Sequence, residues 1–360
     1  MDKKKNKRIV LTGGGTAGHV TPNIALLPAL KRKGYDIHYI GSYTGIERGL
    51  IGLCGIPYYS ISSGKLRRYF DLKNATDVFR IVKGLGDALT LLRRIKPNIV
   101  FSKGGFVVVP VVVAAKMLNI PVVIHESDIT PGLANKLAMP FAKVVCTSFP
   151  ETPDYVPKGI GVLTGSPIRA SLLEGNAKKG LKICGFESLA TKPILMIMGG
   201  SQGAVAINRN VFGALPRLLD QFHIIHLCGK GNANVAAQPG YASFEYVQEE
   251  LPHLLAAADI VLSRAGSNTL FELLALSKPN LLIPLSLSAS RGDQILNAAS
   301  FERQGYSKVL KEDDLTENSL LESLTALYNE KDEYIKRMRI NQQKDGVKKV
   351  IAEIERHVNH

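Results

Sequence analysis

Residues 13–22 read GGGTAGHVTP and follow directly on the apolar run Ile9-Val10-Leu11. A short apolar strand that runs into a glycine turn and then into a helix-like segment, here NIALLPALKRKG, is how a parallel α/β unit begins. Glycines there let the backbone approach a phosphate closely, and the first N–H groups of the following helix, with the positive end of its dipole, face the anion. Gly13, Gly15 and Gly18 also fit G-x-G-x-x-G, the dinucleotide fingerprint. That fingerprint requires a carboxylate at the end of the second strand to hold the ribose. The second strand is expected at Asp36–Ser42 and ends Ile40-Gly41-Ser42-Tyr43, with Asp36 at its opposite end, so a nicotinamide oxidoreductase is disfavoured. His19, directly behind the last glycine, is a residue that a cofactor loop does not need.

The same alternation of apolar runs and helix-like segments continues through most of the chain. In the first half it gives DIHYIGS, NIVFSKGG, a helix from about Pro110 to Asn119, PVVIHES and KVVCTS. In the second half it restarts with PILMIMGGSQG, a helix through Asn208 and Leu218, FHIIHLCGKG, FEYVQ, a helix ending near Ala258, DIVLSRAG, a helix through Glu272, PNLLIPL and a helix from about Asp293 to Gln304. This pattern predicts an α/β protein with parallel sheets covered by helices on both faces. A length of 360 residues suits two domains. The proline- and glycine-rich stretch after Ser148 marks the boundary, giving a first domain over 1–163, a second over 164–338 and a charged helical segment, 339–360, that packs back towards the first. Two similar nucleotide-type folds in succession would face each other across a central cleft.

Composition narrows the class. The chain is 45% hydrophobic and 21% charged, an ordinary globular balance. Its basic start, MDKKKNKR, leads into a short strand rather than a long apolar region, and its longest apolar run, Phe106 to Ala115, is half the length of a spanning helix, so neither a signal peptide nor a membrane span is expected. The four cysteines, Cys54, Cys146, Cys184 and Cys228, form no C-x-x-C pair and read as reduced, mostly buried thiols of a cytosolic protein. A formal charge of +14 predicts attraction to nucleic acid, anionic membrane or phosphorylated small molecules. Between Ser62 and Pro97 nine Lys or Arg stand against three Asp, interleaved with Leu66, Tyr69, Phe70, Phe79, Ile81, Val82, Leu85 and Leu89. This mixture suits a surface lying on anionic lipid, or an amphipathic helix packed on its own sheet. No aromatic strand motif or recognition helix supports nucleic-acid binding.

Two glycine loops in corresponding places, Gly13-Gly14 and Gly199-Gly200, favour phosphate binding over mere turn-making. The second half fits a sugar nucleotide: SRAGSNTLFELLAL sets Arg264 to Asn268 in a strand-to-helix turn at the ligand-binding edge, with Glu272 able to accept both ribose hydroxyls. Asp293 and Gln294 start a further helix, where Asp293 is a candidate N-cap, ligand contact or both.

Six segments, GGGTAGHVTPNIALLPAL, SKGGFVVVP, HESDITPGLANK, TGSPIR, GGSQGA and SRAGSNTLFELLAL, resemble in order and spacing the MurG family of peptidoglycan N-acetylglucosaminyltransferases, over about Lys7 to beyond Gln304. The resemblance implies a GT-B glycosyltransferase that moves GlcNAc from UDP-GlcNAc to the muramoyl 4-hydroxyl of lipid I, with inversion, to make lipid II. It also implies a peripheral place on the cytoplasmic face of the cell membrane. It assigns donor contacts to Thr16, Gly18, Arg169, Gly200, Ser201, Gln202, Val247, Asn268, Thr269, Glu272, Asp293 and Gln294, and acceptor contacts to Gly14, Gly15, Gly104, Gly105 and Asn135. One departure stands out: many members read H-E-Q-N where this chain has His125-Glu126-Ser127-Asp128, a carboxylate in place of a neutral amide. A related GT-B transferase acting on diacylglycerol is the alternative.

Inverting transfer needs a base for the acceptor hydroxyl. His19 is the leading candidate, with Glu126 and Asp128 competing and a purely loop-orienting role for His19 left open. No D-x-D motif and no His or Cys cluster points to a metal, and no cofactor is expected. Charge on the departing UDP would be met by backbone N–H groups of Gly199 to Gly203, a helix dipole and Arg169.

Overall fold

The computed structural model describes residues 7–64, 73–189, 192–199, 203–233, 238–288, 290–341 and 345–358. The chain packs as two compact units, Met1–Arg169 with Asp345–His360, and Ala170–Lys344. The first unit thus runs six residues past the expected boundary. Of the expected C-terminal segment, 339–360, residues 339–344, which include the end of helix Lys331–Ile340, belong to the second unit, and helix Gly346–His357 belongs to the first.

The first unit holds β1 (Arg8–Thr12), β2 (Asp36–Ser42), β3 (Tyr58–Ile61), β4 (Ile99–Ser102), β5 (Val122–Glu126), β6 (Val144–Thr147) and β7 (Gly161–Leu163), all parallel, in the order β3-β2-β1-β4-β5-β6-β7. Alternate residues of these strands enter opposite cores. Ile9, Leu11, Phe101, Val123 and Cys146 join one cluster, and Val10, Val100, Ile124 and Val145 the other. Burial on both faces is why the strands read as unbroken apolar runs. Val350, Ile351 and Ile354 of the C-terminal helix complete the first of these cores. Glu355 ties the same helix down, accepting from Tyr35 Oη and lying 3.4 Å from both Lys7 and Lys33.

The second unit repeats the scheme with β8 (Ile194–Met198), β9 (His223–Leu227), β10 (Tyr241–Phe244), β11 (Ile260–Ser263), β12 (Asn280–Leu282) and β13 (Lys308–Val309), parallel in the order β10-β9-β8-β11-β12-β13. The strand expected at FEYVQ lies earlier, at Tyr241–Phe244, because the apolar side chain that reaches the core is Tyr241. The helix expected from Pro110 begins at Val108, with proline inside its first turn, where the missing N–H costs nothing.

The basic stretch contains helix Lys73–Ile95. Gly84 lets this helix lie against the Ser62 carbonyl, and Asp87 Oδ2 accepts the Ser62 N–H at 3.1 Å. Phe79 is left 78% exposed and Val82 63% exposed, beside exposed Arg80 and Lys83, with Arg93 and Arg94 also exposed. Lys65, Leu66, Arg67, Arg68, Tyr69 and Phe70 lie outside the described residues. Among the described residues no helix is long and apolar enough to cross a membrane. Of the cysteines, Cys146 and Cys228 are buried while Cys54 and Cys184 are only half-buried, which corrects the expectation that most are inside.

Candidate active site

In each sheet the strand order reverses beside the first strand, between β1 and β4 and between β8 and β11, and the carboxyl ends of such a pair open a crevice. At the first reversal Thr12 lies level with Ser102, so the Gly13–Gly18 loop and the Lys103–Gly105 turn are neighbours. Gly14 N–H donates to the Gly104 carbonyl at 3.2 Å, and Lys103 N–H to the Thr12 carbonyl at 2.9 Å. Gly104 and Gly105 have φ of +105° and +88°, and a Cβ on Gly105 would land on the Gly14 carbonyl. Below the loop, Tyr39 Oη donates to the Gly13 carbonyl at 2.8 Å, and Asn23 Nδ2 reaches Tyr39 Oη at 3.2 Å and the His19 carbonyl at 3.3 Å. Ala17–His19 form a single 3-10 turn ahead of helix Thr21–Arg32, so His19 precedes the helix rather than beginning it.

His19 Nδ1 lies 2.9 Å from the Gly14 carbonyl and 3.2 Å from Thr16 Oγ1. A carbonyl can only accept, so Nδ1 carries the proton and Nε2 is the lone-pair nitrogen of the neutral ring. Nε2 is turned to the Lys103–Gly105 turn, 3.4 Å from where a Gly104 Cβ would stand, and the Asn135 amide nitrogen is 3.5 Å from the same point. The structure therefore brings His19, Gly104 and Asn135 together.

Glu126 is 4% exposed and its carboxylate already accepts four N–H groups: Ser127 N at 2.8 Å, Asp128 N at 3.1 Å, Gly132 N at 3.1 Å and Asn135 Nδ2 at 2.8 Å. A carboxylate so engaged organises the 126–132 loop. Asn135 spends its amide N–H on that carboxylate and on the His125 carbonyl. Lys103 is buried and its ammonium donates to Ser127 Oγ. Burial pulls its pKa down to about 8, opposed by the charges of Glu126 and Asp128. Asp128, where many members of the family carry a neutral amide, thus adds a negative charge that acts on this buried cation. His125 is buried with Nε2 3.0 Å from the Gly165 carbonyl, and burial, reinforced by Lys103, holds it neutral.

Sequence reasoning missed Glu47, in helix Ile46–Gly52. It is fully buried, and its Oε2 accepts the Gly15 N–H at 3.1 Å while Oε1 accepts the Ser42 N–H at 3.0 Å and the Ser42 hydroxyl. The Gly15 N–H, expected to face a ligand phosphate, is thus turned to a side chain of the protein. Burial drives the Glu47 pKa up, but the hydrogen bonds from Ser42 and Gly15 outweigh it and hold the carboxyl below its ordinary value.

At the second reversal β8 leads to Gly199, and Gly203, at φ +76°, presses on the Cys228 carbonyl. Gly200, Ser201 and Gln202 lie outside the described residues. Behind this loop His226 is clamped between Asn208 Oδ1 at 3.1 Å and Tyr241 Oη at 3.0 Å, and burial takes its pKa to about 4. β11 leads through Arg264-Ala265-Gly266 into helix Ser267–Leu276, which carries Asn268, Thr269 and Glu272, all half-buried, with Asn268 and Glu272 four residues apart on one face. Arg264 donates to the Ile283 carbonyl at 3.2 Å and to Glu312, whose other oxygen accepts the Ser286 N–H at 3.0 Å. Gln294 Oε1 accepts the Leu285 N–H at 3.2 Å. Asp293 does not cap its helix: Gly292, at φ +83°, holds that position, and Asp293 lies 3.7 Å from Arg291. Val247, just beyond β10, and Arg169, at the end of the first unit's long segment, are half-buried. Among the described residues no group of three His, Cys, Asp or Glu is arranged to hold a metal ion.

Two parallel α/β units, each with a glycine loop at its reversal point, are the architecture of a GT-B glycosyltransferase. The MurG crystal structure from Acinetobacter baumannii has this fold, with a TM-score of 0.76, 26% identity, and coverage of 97% of this chain and 99% of that one. Residues 9–147 match the glycosyltransferase family 28 N-terminal domain and residues 194–354 the family 28 C-terminal domain. The UDP-N-acetylglucosamine–N-acetylmuramyl-(pentapeptide) pyrophosphoryl-undecaprenol N-acetylglucosamine transferase of Lachnoclostridium phytofermentans is 59% identical over 97% of this chain and 98% of its own length. The enzyme of the same name from Clostridium tetani is 56% identical over 98% of each. The chain belongs to glycosyltransferase family 28, in its MurG group.

Proposed function

We infer that this protein transfers GlcNAc from UDP-GlcNAc to the 4-hydroxyl of the muramoyl sugar of lipid I, making lipid II for peptidoglycan synthesis. The acceptor oxygen attacks the anomeric carbon, the bond from that carbon to the UDP phosphate oxygen breaks with its electron pair leaving on UDP, and the acceptor proton passes to His19 Nε2. The observation that carries the assignment of His19 is its Nδ1–H bond to the Gly14 carbonyl, which fixes the tautomer a base requires. Gly14, Gly104 and Gly105 supply close backbone approach for the acceptor, with Asn135 beside them. Asn268, Thr269 and the N-terminus of their helix border the donor diphosphate, Glu272 holds the ribose, Val247 meets the base, and Asp293 and Gln294 bind the sugar hydroxyls. Gly200, Ser201, Gln202 and Arg169 complete the donor side, with Thr16 and Gly18 contributing from the loop before His19.

The exposed pair Phe79 and Val82, flanked by Arg80 and Lys83, supports peripheral attachment to an anionic membrane surface on its cytoplasmic face, where a lipid-carried acceptor is presented. The test of the mechanism is His19→Ala, assayed with labelled UDP-GlcNAc and a lipid I analogue. Turnover falls by about 100-fold or more with UDP-GlcNAc affinity nearly intact. Full turnover in that variant removes His19 from the chemistry.

A further inference from the structure

We propose that Glu47 is the positioning residue of this active site: its buried carboxylate, through the Gly15 N–H, holds the glycine loop so that the Gly14 carbonyl fixes the His19 ring as a base. The inference rests on the assignment of His19 just made and extends it one layer inward.

Three observations converge. The carboxylate has no exposure and is satisfied from both ends, by Gly15 on one oxygen and by the backbone and hydroxyl of Ser42 on the other. The surrounding chain makes room for it: a Cβ on Gly14 would stand 2.6 Å from the Glu47 carboxyl carbon, one on Gly45 would collide with both its oxygens, and one on Gly41 would lie 2.9 Å from its Cγ. Ser42 is itself anchored, its carbonyl accepting Tyr58 Oη at 2.6 Å, and Tyr58 stacks on the Tyr39 ring whose hydroxyl holds Gly13. Gly13 is therefore held by Tyr39, Gly14 by Gly104 and His19, and Gly15 by Glu47. Only Glu47 brings a charge to this set. An ionised acceptor makes hydrogen bonds roughly twice as strong as a neutral one, so the rigidity of the loop depends most on this residue. It also takes an N–H of the kind that such loops present to a phosphate, so an internal anion holds the loop in its working shape before any substrate arrives.

The test is Glu47→Gln in the full chain, because the amide keeps the volume and loses the charge and one acceptor. The expected result is a folded protein whose kcat drops by about 30-fold while KM for UDP-GlcNAc stays within about two-fold. Long-range proton–nitrogen spectra of the histidine-labelled variant, with His19 assigned by its absence in His19→Ala, show a mixture of tautomers in place of Nδ1–H alone. If Glu47→Gln fails to fold, Ser42→Ala, which removes only the hydroxyl bond to Oε1, carries the same test with a loss of about three-fold. Wild-type kcat in the folded variant, or a kcat loss with the His19 tautomer unchanged, overturns the proposal. His19→Ala run alongside separates the two ideas. An inactive His19→Ala with a fully active Glu47→Gln sinks only the positioning role, whereas a fully active His19→Ala sinks the base assignment itself.

Discussion

Replacing Gly105 by alanine perturbs His19 without touching it. At φ +88° an alanine pays about 1–2 kcal/mol for the left-handed backbone. The larger effect is steric, since the new methyl would fall on the Gly14 carbonyl oxygen, with Gly14 C and N only 3.0 and 3.1 Å away. Restoring ordinary contact moves that oxygen by roughly 1 Å. The displaced oxygen is the acceptor for His19 Nδ1–H, and a misplacement of about 1 Å in a reacting group costs on the order of 100-fold, or about 2.7 kcal/mol of barrier. Gly34→Ala is the control, because Gly34 has φ +78° and nothing within 4 Å of an added Cβ, so it shares the backbone penalty and lacks the collision. In an acceptor-dependent UDP-release assay Gly105→Ala loses about 100-fold in kcat with KM for UDP-GlcNAc little changed, while Gly34→Ala turns over normally. A folded Gly105→Ala protein within about three-fold of wild-type kcat would refute the link from the glycine pair to the histidine.

On the ribose contact proposed for Glu272, Glu272→Ala raises KM for UDP-GlcNAc by about 10- to 100-fold, read from initial rates against donor concentration. Lys103, with its pKa pulled down to about 8 by burial, binds fewer protons folded than unfolded above that pH, so its burial penalises the fold at neutral pH and the penalty fades as pH rises. The unfolding free energy of the wild type relative to Lys103→Met therefore increases by roughly 2 kcal/mol between about pH 7.5 and 10, measured in urea; a flat difference contradicts a depressed lysine. Phe79→Ser with Val82→Ser lowers partitioning onto vesicles of anionic lipid by about 10-fold or more, and unchanged sedimentation with those vesicles rules this face out as the docking surface.

The alternation of apolar runs was enough to read the two parallel sheets, because strands buried on both faces leave a continuous signal that glycine turns then punctuate. What stayed hidden were partners distant along the chain. The end of β2 carries no carboxylate, and Glu47 lies five residues beyond Ser42 in a helix with no sequence signature, meeting Gly15 across 32 positions. Lys103 directly follows β4 in SKGG, and its burial, unusual for a lysine, shows only in the folded chain. Glu126 shows in the sequence only as a carboxylate, and the four N–H groups that the following turn wraps around it appear only in the fold. Asp293 and the N-cap show the same lesson locally: Gly292 supplied a left-handed cap that no side-chain preference announces.

The helix Gly346–His357 completes a core begun by Ile9 and Leu11, so the first unit is assembled from the two ends of the chain. A ribosome finishes Arg169 and then makes the whole of Ala170–Lys344 before the missing piece arrives, on the order of 10–35 s at ordinary synthesis rates. During that interval the second unit has its own sequence in full and is free to fold, while the His19 loop sits on a sheet with one core still open to water. Order of synthesis and order of maturation are thus reversed, and the unit made first is the last to become sound. A nascent chain stalled before Asp345 would carry a finished second unit and a first unit marked for chaperones by its exposed apolar face.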